Sequence, residues 1–127
     1  MQDEDLTNKI IGCAYTVYNH MGFGFLESVY TKCMLIELQK QGLQVQQERP
    51  INVQYDGVVV GEFKADMLVN DRVIVELKSV RGLSSGHEVQ LVNYLVATGK
   101  DVGLLLNFGE KGVEVKRKVR DLNKARK

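Results

Sequence analysis

Two hairpin signals in succession, between residues 51 and 78, constrain the fold of this chain more than any other feature. Residues 51–55 alternate apolar and polar side chains, Asp56-Gly57 is typical of a two-residue turn, and the run VVVGEFKADMLV follows. Residues 70–72 form a second turn, and VIVELK follows it. The pattern predicts three consecutive strands joined by short turns, and Pro50 indicates that the first of them lies or begins at a sheet edge.

Helical periodicity flanks these strands. Apolar residues recur at steps of three and four from Thr7 to Met21 and again from about Phe25 to Lys40, and HEVQLVNYLVATG has the same spacing. VGLLLNF is short and continuously apolar, as a buried central strand would be, and VEVKRKV is a candidate last strand. The predicted order is ααβββαβ(β), an α/β fold with a mixed sheet flanked by helices.

Length and charge limit what the chain can be. With 127 residues, 44% of them hydrophobic, the chain has enough apolar content to build a core, and we expect a single domain spanning residues 1–127. The 17 Lys and Arg against 16 Asp and Glu leave a formal net charge of +1, so no overall field attracts nucleic acid. Any such binding has to come from local patches.

The cysteines and the N-terminus indicate the compartment. Cys13 and Cys33 lie in predicted helices without metal-ligand spacing, which fits reduced thiols. The N-terminus MQDEDLTNKI opens with acidic residues, and no apolar stretch approaches the roughly 18–20 residues needed to span a bilayer. We therefore expect a cytoplasmic protein with no membrane partner.

The strand VIVELK carries two opposite charges, Glu76 and Lys78, on one side of an otherwise apolar segment. Because strand side chains alternate, Lys64 and Asp66 of the preceding strand are predicted on the same face as this pair. The residues predicted on the apolar face are Ala65, Met67, Val69, Val73, Val75 and Leu77.

The length of the turn at residues 70–72 decides which charges meet. A three-residue loop pairs Val69 with Val73 and puts Asp66 opposite Glu76, with Cβ atoms about 4.5–5.5 Å apart. Two facing carboxylates repel unless something positive lies between them, and a divalent cation with Lys78 beside it would suit phosphodiester hydrolysis. The alternative is a cross-strand salt-bridge cluster of these acids with Lys64 and Lys78 on a solvated face.

Other polar residues bear on the choice. His87, Gln90 and Tyr94 fall on one face of the third helix, where Gln90 could hold a phosphate and Tyr94 could hydrogen-bond or stack on a base. A solvent-exposed helix face would explain them equally. Glu27 lies in the first turn of its helix, where the dipole favours a carboxylate, and His20 is either a site residue or a cation at a helix C-terminus.

Together these residues resemble the PD-(D/E)XK nuclease superfamily, and within it the GxxExxY family of small bacterial and archaeal proteins. GFLESVY supplies Gly24-x-x-Glu27-x-x-Tyr30. FKADMLV and VELK supply the acidic residue and the (D/E)-x-K element, and QLVNY resembles the Gln-x-x-x-Tyr motif of RecB-like nucleases. Ala65 stands where the superfamily name has proline. The resemblance runs from the first helix to GLLLNF.

The resemblance implies a restriction-endonuclease-like fold and a metal-dependent nuclease that acts on DNA or on RNA. It implies Mg²⁺ or Mn²⁺ held by Glu27, Asp66 and Glu76, with Lys78 as the catalytic cation. Gln90, Tyr94 and His87 are then expected to bind substrate. The alternative function is a catalytically silent module that binds nucleic acid or protein through the same face. A homodimer or a larger protein partner would enlarge the small surface that the domain offers.

Overall fold

A five-stranded sheet, ordered β1-β2-β3-β4-β5, forms the middle layer of the computed structural model, which describes residues 3–120. The strands are β1 (Val45–Tyr55), β2 (Val58–Val69), β3 (Val73–Lys78), β4 (Val102–Phe108) and β5 (Val113–Val119), and the helices are α1 (Glu4–Met21), α2 (Glu27–Lys40) and α3 (Ser85–Thr98). β3 and β4 run parallel, and the other neighbouring pairs are antiparallel. The predicted element order and the mixed sheet are confirmed, including the last strand.

Each face of the sheet has its own apolar layer. Helices α1 and α2 pack on one face, where the larger cluster includes Ile10, Ala14, Val17, Tyr30, Met34, Leu38, Met67, Val75, Leu104 and Phe108. Helix α3 packs on the other face, and the smaller cluster there consists of Ile51, Ala65, Leu68, Ile74, Leu91, Tyr94, Leu95 and Leu105. Because both faces are covered, every residue of β4 is buried, as its continuous apolar sequence predicts.

Helix α3 is the crossover that joins the parallel strands β3 and β4. It lies close to the sheet at Gly103, where an added Cβ atom would come within 2.8 Å of the Leu91 side chain. The absence of a side chain at this position of β4 therefore sets how near α3 can approach the strands.

The hairpin between β2 and β3 has the predicted register. Val69 pairs with Val73 across the three residues 70–72, which confirms the odd-membered loop. Pro50 lies in β1, an edge strand, as predicted. The predicted face of Ala65 is wrong, because it belongs to the α3-side cluster and not to the layer of Met67 and Val69. The alternation of side chains along β2 is interrupted at Asp66, between Ala65 and Met67, next to the last backbone pair of β2 and β3.

The described part of the chain limits two further predictions. Residues 1–2 and 121–127 of the predicted single domain lie outside the described residues. Within residues 3–120, no helix combines the length and the apolar character that crossing a membrane requires.

Candidate active site

Asp66 and Glu76 lie next to each other where β2 and β3 separate. Backbone pairing between the two strands ends at Met67 and Val75, and each carboxylate then accepts an N–H from the opposite strand. The Leu77 N–H donates to Asp66 Oδ2 at 2.7 Å, and the Asp66 N–H donates to Glu76 Oε1 at 3.1 Å. These crossed hydrogen bonds replace the strand ladder and hold the two acids together.

Burial and mutual repulsion keep this pair from carrying two full negative charges. Glu76 is only 7% exposed, and its burial, with the charge of Asp66 as a second cause, raises the pKa of Glu76 to about 8. Burial also raises the pKa of Asp66, although the Leu77 N–H and the charge of Lys78 oppose the rise. The pair therefore favours a bound proton, or another cation, at neutral pH.

Lys78 supplies positive charge at the end of β3 without forming a tight ion pair. Its ammonium lowers the pKa of both carboxyl groups, so it lies within electrostatic reach of each. Within residues 3–120 no ion pair shorter than 4.0 Å joins Lys64 or Lys78 to Asp66 or Glu76. The alternative of a cross-strand salt-bridge cluster is therefore wrong, and the ammonium of Lys78 is left for another anion.

Glu27 reaches the same region from a different element. It is the first residue of α2, its side chain is exposed, and its charge contributes to raising the pKa of Glu76. Yet no three His, Cys, Asp or Glu side chains of the described residues are close enough to form a metal-ligand group. The structure thus brings Asp66, Glu76 and Lys78 together and places Glu27 near them at longer range.

The segment before Glu27 is held by two hydroxyl groups. The Tyr30 hydroxyl donates to the Gly22 carbonyl and accepts the Phe25 N–H, while its ring stacks on Phe108 with centroids 4.3 Å apart. The Ser79 hydroxyl, next to Lys78 in sequence, donates to the Phe25 carbonyl at 2.6 Å. Gly24 has φ +112°, a conformation that other residues rarely adopt. In the GxxExxY segment, the glycine and the tyrosine therefore shape the loop that presents the glutamate.

Helix α3 contributes Tyr94 and Gln90. Tyr94 is 7% exposed and packs in the α3-side cluster, so an exposed face is the wrong description of this residue. Burial raises the Tyr94 pKa, and the charges of Glu76 and Asp66 add to the rise, so the phenol lies within electrostatic reach of both carboxylates. Gln90 is exposed one helical turn earlier.

Two histidines have local structural roles. His87 Nδ1 accepts the Ser84 N–H at 3.1 Å and so caps the start of α3, while contact of His87 with a substrate stays a prediction. His20 Nδ1 lies 3.0 Å from the Thr16 carbonyl oxygen in the last turn of α1. His20 therefore fits the helix C-terminal role better than a site role.

The sequence reasoning missed one acid, Glu48. It lies on β1 between the pairs Gln47–Met67 and Arg49–Ala65, which places it opposite Asp66, and its charge raises the Asp66 pKa. Its φ of 51° is in the left-handed region. If the register set by the Asp56-Gly57 turn continued along β1 and β2 without a bulge, Gln47 would lie opposite Asp66. A bulge at Val53/Gln54 shifts the register by one residue, and no sequence signal marked it.

Comparisons with known proteins show the family and the fold of the chain. The sequence model of the PD-(D/E)XK nuclease superfamily matches residues 4–119. No curated protein sequence matches the chain. The crystal structure of SSO0001 superposes with a TM-score of 0.60 at 15% identity, over 97% of this chain and 62% of that one. An alkaline exonuclease from Laribacter hongkongensis superposes with a TM-score of 0.52 at 12% identity, over 99% of this chain and 76% of that one. The likeness to these two structures concerns the fold alone.

Proposed function

The chain belongs to the PD-(D/E)XK nuclease superfamily and has its restriction-endonuclease-like fold, and we propose that it is a metal-dependent nuclease that hydrolyses phosphodiester bonds of DNA or RNA. Membership supports a nuclease-type function. The observation that carries the proposal is the contact of buried Glu76 with partly buried Asp66, with the ammonium of Lys78 within electrostatic reach of both. The Gly24, Glu27 and Tyr30 motif supports a place in the GxxExxY family.

The carboxylates fit a divalent cation such as Mg²⁺ or Mn²⁺. Their oxygens are the hard ligands that these ions prefer, and a cation between them would relieve the repulsion that contributes to the raised pKa of Glu76. Glu27 is the candidate third ligand, because its side chain is exposed and has no hydrogen-bond or ion-pair partner among residues 3–120. An ion held by these carboxylates would supply Lewis-acid polarisation of the scissile phosphate and activation of a water nucleophile.

The other residues bind and stabilise the phosphate. The Lys78 ammonium lies beside the carboxylates and neutralises charge that develops on the phosphate oxygens as the bond to the leaving group breaks. Gln90 donates from its amide to a phosphate or a water, and the Tyr94 phenol, with its raised pKa, stays protonated as a donor. His87, at the start of α3, would contact the nucleic-acid substrate.

A cleavage assay tests the proposal. Purified protein is incubated with labelled single- and double-stranded DNA and RNA, with Mg²⁺, Mn²⁺ or EDTA. The proposal expects cleavage that needs the metal and that is lost in Glu76→Gln and Asp66→Asn. Glu62→Gln, an exposed acid of β2 outside the site, is the matched control and should cleave normally. Cleavage that persists in EDTA, or in Glu76→Gln, would contradict the assigned site.

A second candidate is a catalytically silent module that binds nucleic acid or protein through the same face. The lack of a three-residue metal-ligand group within residues 3–120 favours it. Such a module would bind its partner equally in EDTA and as the Glu76→Gln variant. A homodimer, a larger protein partner and a cytoplasmic location stay predictions from the sequence.

A further inference from the structure

An open cleft of about 880 Å³ lies between the β1–β2 hairpin and α3. The hairpin contributes Asn52, Gln54 and Phe63, and the helix contributes Gln90, Asn93 and Tyr94. Tyr94 lines this cleft and packs in the same apolar cluster as Ala65, the residue next to Asp66. The cleft therefore adjoins the carboxylate site, although only Gln90 and Tyr94 belong to the motifs discussed so far.

The lining of the cleft combines flat apolar surface with amides. Phe63 is 44% exposed, its ring centroid is 5.7 Å from that of Tyr94, and its ring lies over Gly61, where an added Cβ atom would come within 3.2 Å. Four carboxamides, those of Asn52, Gln54, Gln90 and Asn93, line the same space. None of the four has a hydrogen-bond partner for its side chain in the described structure.

The chemistry of this lining selects a class of ligand. None of the lining residues carries an ionised side chain, so the cleft does not attract a phosphate by charge. Carboxamides both donate and accept hydrogen bonds, and an exposed aromatic ring offers a stacking surface. A neutral, flat ring system with donors and acceptors on its edge matches both features, and a nucleobase is such a group.

We propose that this cleft binds an unpaired nucleobase of the substrate, stacked on Phe63 and held at its edge by the carboxamides, beside the phosphate at the carboxylates. The inference rests on the proposed function, because it defines the substrate as a strand with at least one unpaired base. A base inside a duplex is stacked on both faces and hydrogen-bonded at its edge, so it would have to leave the helix before it could enter.

A binding measurement tests the inference independently of catalysis. Fluorescence anisotropy gives the affinity of a labelled short oligothymidylate, and of an abasic strand of the same length, in the Glu76→Gln background so that no strand is cut. Phe63→Ala is expected to weaken oligothymidylate binding by about fivefold or more, the lower end expected for one lost stacked base. Asn93→Ala should weaken it by about fivefold through a lost hydrogen bond.

The controls separate this inference from the proposed function. Tyr55→Ala, an aromatic residue of the same hairpin that is 76% exposed and does not line the cleft, should bind like the parent protein. All variants should bind the abasic strand equally. If the cleavage assay succeeds while Phe63→Ala and Asn93→Ala bind oligothymidylate normally, the base site is wrong and the nuclease function stands. If the binding pattern appears but no nucleic acid is cleaved, the base site stands and the nuclease function is wrong. If the protein does not bind oligothymidylate at all, the base site is wrong.

Discussion

Two carboxylates held across a strand gap determine the residue-scale chemistry of this protein. Asp66 and Glu76 each accept a backbone N–H from the opposite strand, which fixes their separation without a bound cation. Burial then makes the doubly charged state unfavourable. The consequences for pH and for the neighbouring lysine can be measured separately.

Stability should depend on the protonation of Glu76. Its pKa is raised from 4.5 to about 8, so between these values the folded state binds more protons than the unfolded state. The contribution of Glu76 to the free energy of unfolding of the metal-free protein should therefore be highest below the lower value and fall as pH rises through the higher one, by on the order of 2–5 kcal/mol. Denaturant titrations in EDTA across this range measure it. Glu76→Gln should lose this part of the slope, and an unchanged slope would assign it to other groups.

The charge of Lys78 should matter for activity, and that of Lys64 should not. Lys78 lowers the pKa of both carboxyl groups, whereas Lys64 is an exposed lysine of β2. If the nuclease proposal holds, Lys78→Ala should lower the cleavage rate by about 100-fold or more, as removal of a transition-state donor does. Lys64→Ala is the matched control. Equal rates for both variants would remove Lys78 from the catalytic role.

Elements of the fold position these residues through contacts outside the site. The loop before α2 is held by Tyr30 and Ser79, so the position of Glu27 depends on a hydroxyl group of its own helix and on one that follows β3. Asn107, buried in β4, fixes the backbone after β3 by bonding both the Val80 N–H and the Val80 carbonyl. The position of helix α3 depends on the packing of Leu91 against Gly103 of β4.

Removing the Tyr30 hydroxyl should loosen the loop that carries Glu27. Tyr30→Phe keeps the ring stacked on Phe108 and loses the bonds to Gly22 and Phe25, so we expect a loss of about 1–2 kcal/mol in unfolding free energy. Nuclease activity should fall as well, because Glu27 is no longer held. Tyr15→Phe, at a 49% exposed position of α1, is the control. If the Tyr30→Phe protein is as active as the wild type, the loop held by Tyr30 does not contribute to activity.

The contact between α3 and β4 should tolerate no added methyl group. In Gly103→Ala the new Cβ atom would meet the Leu91 side chain at 2.8 Å, so we expect a loss of about 1–3 kcal/mol and a displaced helix. Thermal unfolding and near-UV circular dichroism report both effects. Gly12→Ala, in the middle of α1 with nothing within 4 Å, should instead gain about 0.5–1 kcal/mol. Similar effects at both glycines would contradict the close approach of α3.

At the scale of the whole molecule, the site exists only in the folded chain. It joins Asp66 of β2 and the end of β3 to the first residue of α2 and to α3, which are distant in sequence. A ligand that bridges these elements binds the folded state and not the unfolded one, so it should stabilise the entire domain.

Mn²⁺ should therefore raise the unfolding midpoint. At a free concentration about 100 times the dissociation constant, a single site adds about 2.7 kcal/mol to the free energy of unfolding. Thermal unfolding with increasing Mn²⁺ should show this shift for the wild type and for Glu62→Gln. Asp66→Asn should lose it. A shift that persists in Asp66→Asn would place the ion elsewhere on the molecule.

Local patterns in the sequence were sufficient for the central pair of acids. A three-residue turn and the two-residue period of strands determine that Asp66 meets Glu76, because both rules act between residues close in sequence. The same holds for the helices and for the buried strand β4, whose apolar spacing depends only on the period of each element.

Only the tertiary structure decided the surroundings of that pair. A bulge in the β1–β2 hairpin brings Glu48 opposite Asp66, an interruption at Asp66 turns Ala65 to the α3 side, and packing buries Tyr94 near the Phe63 ring. The hydroxyl of Ser79 meets Phe25 across 54 positions of sequence. Periodicity reports which face a residue takes on its own element. Which elements then meet, and at what register, depends on the packing of the whole chain.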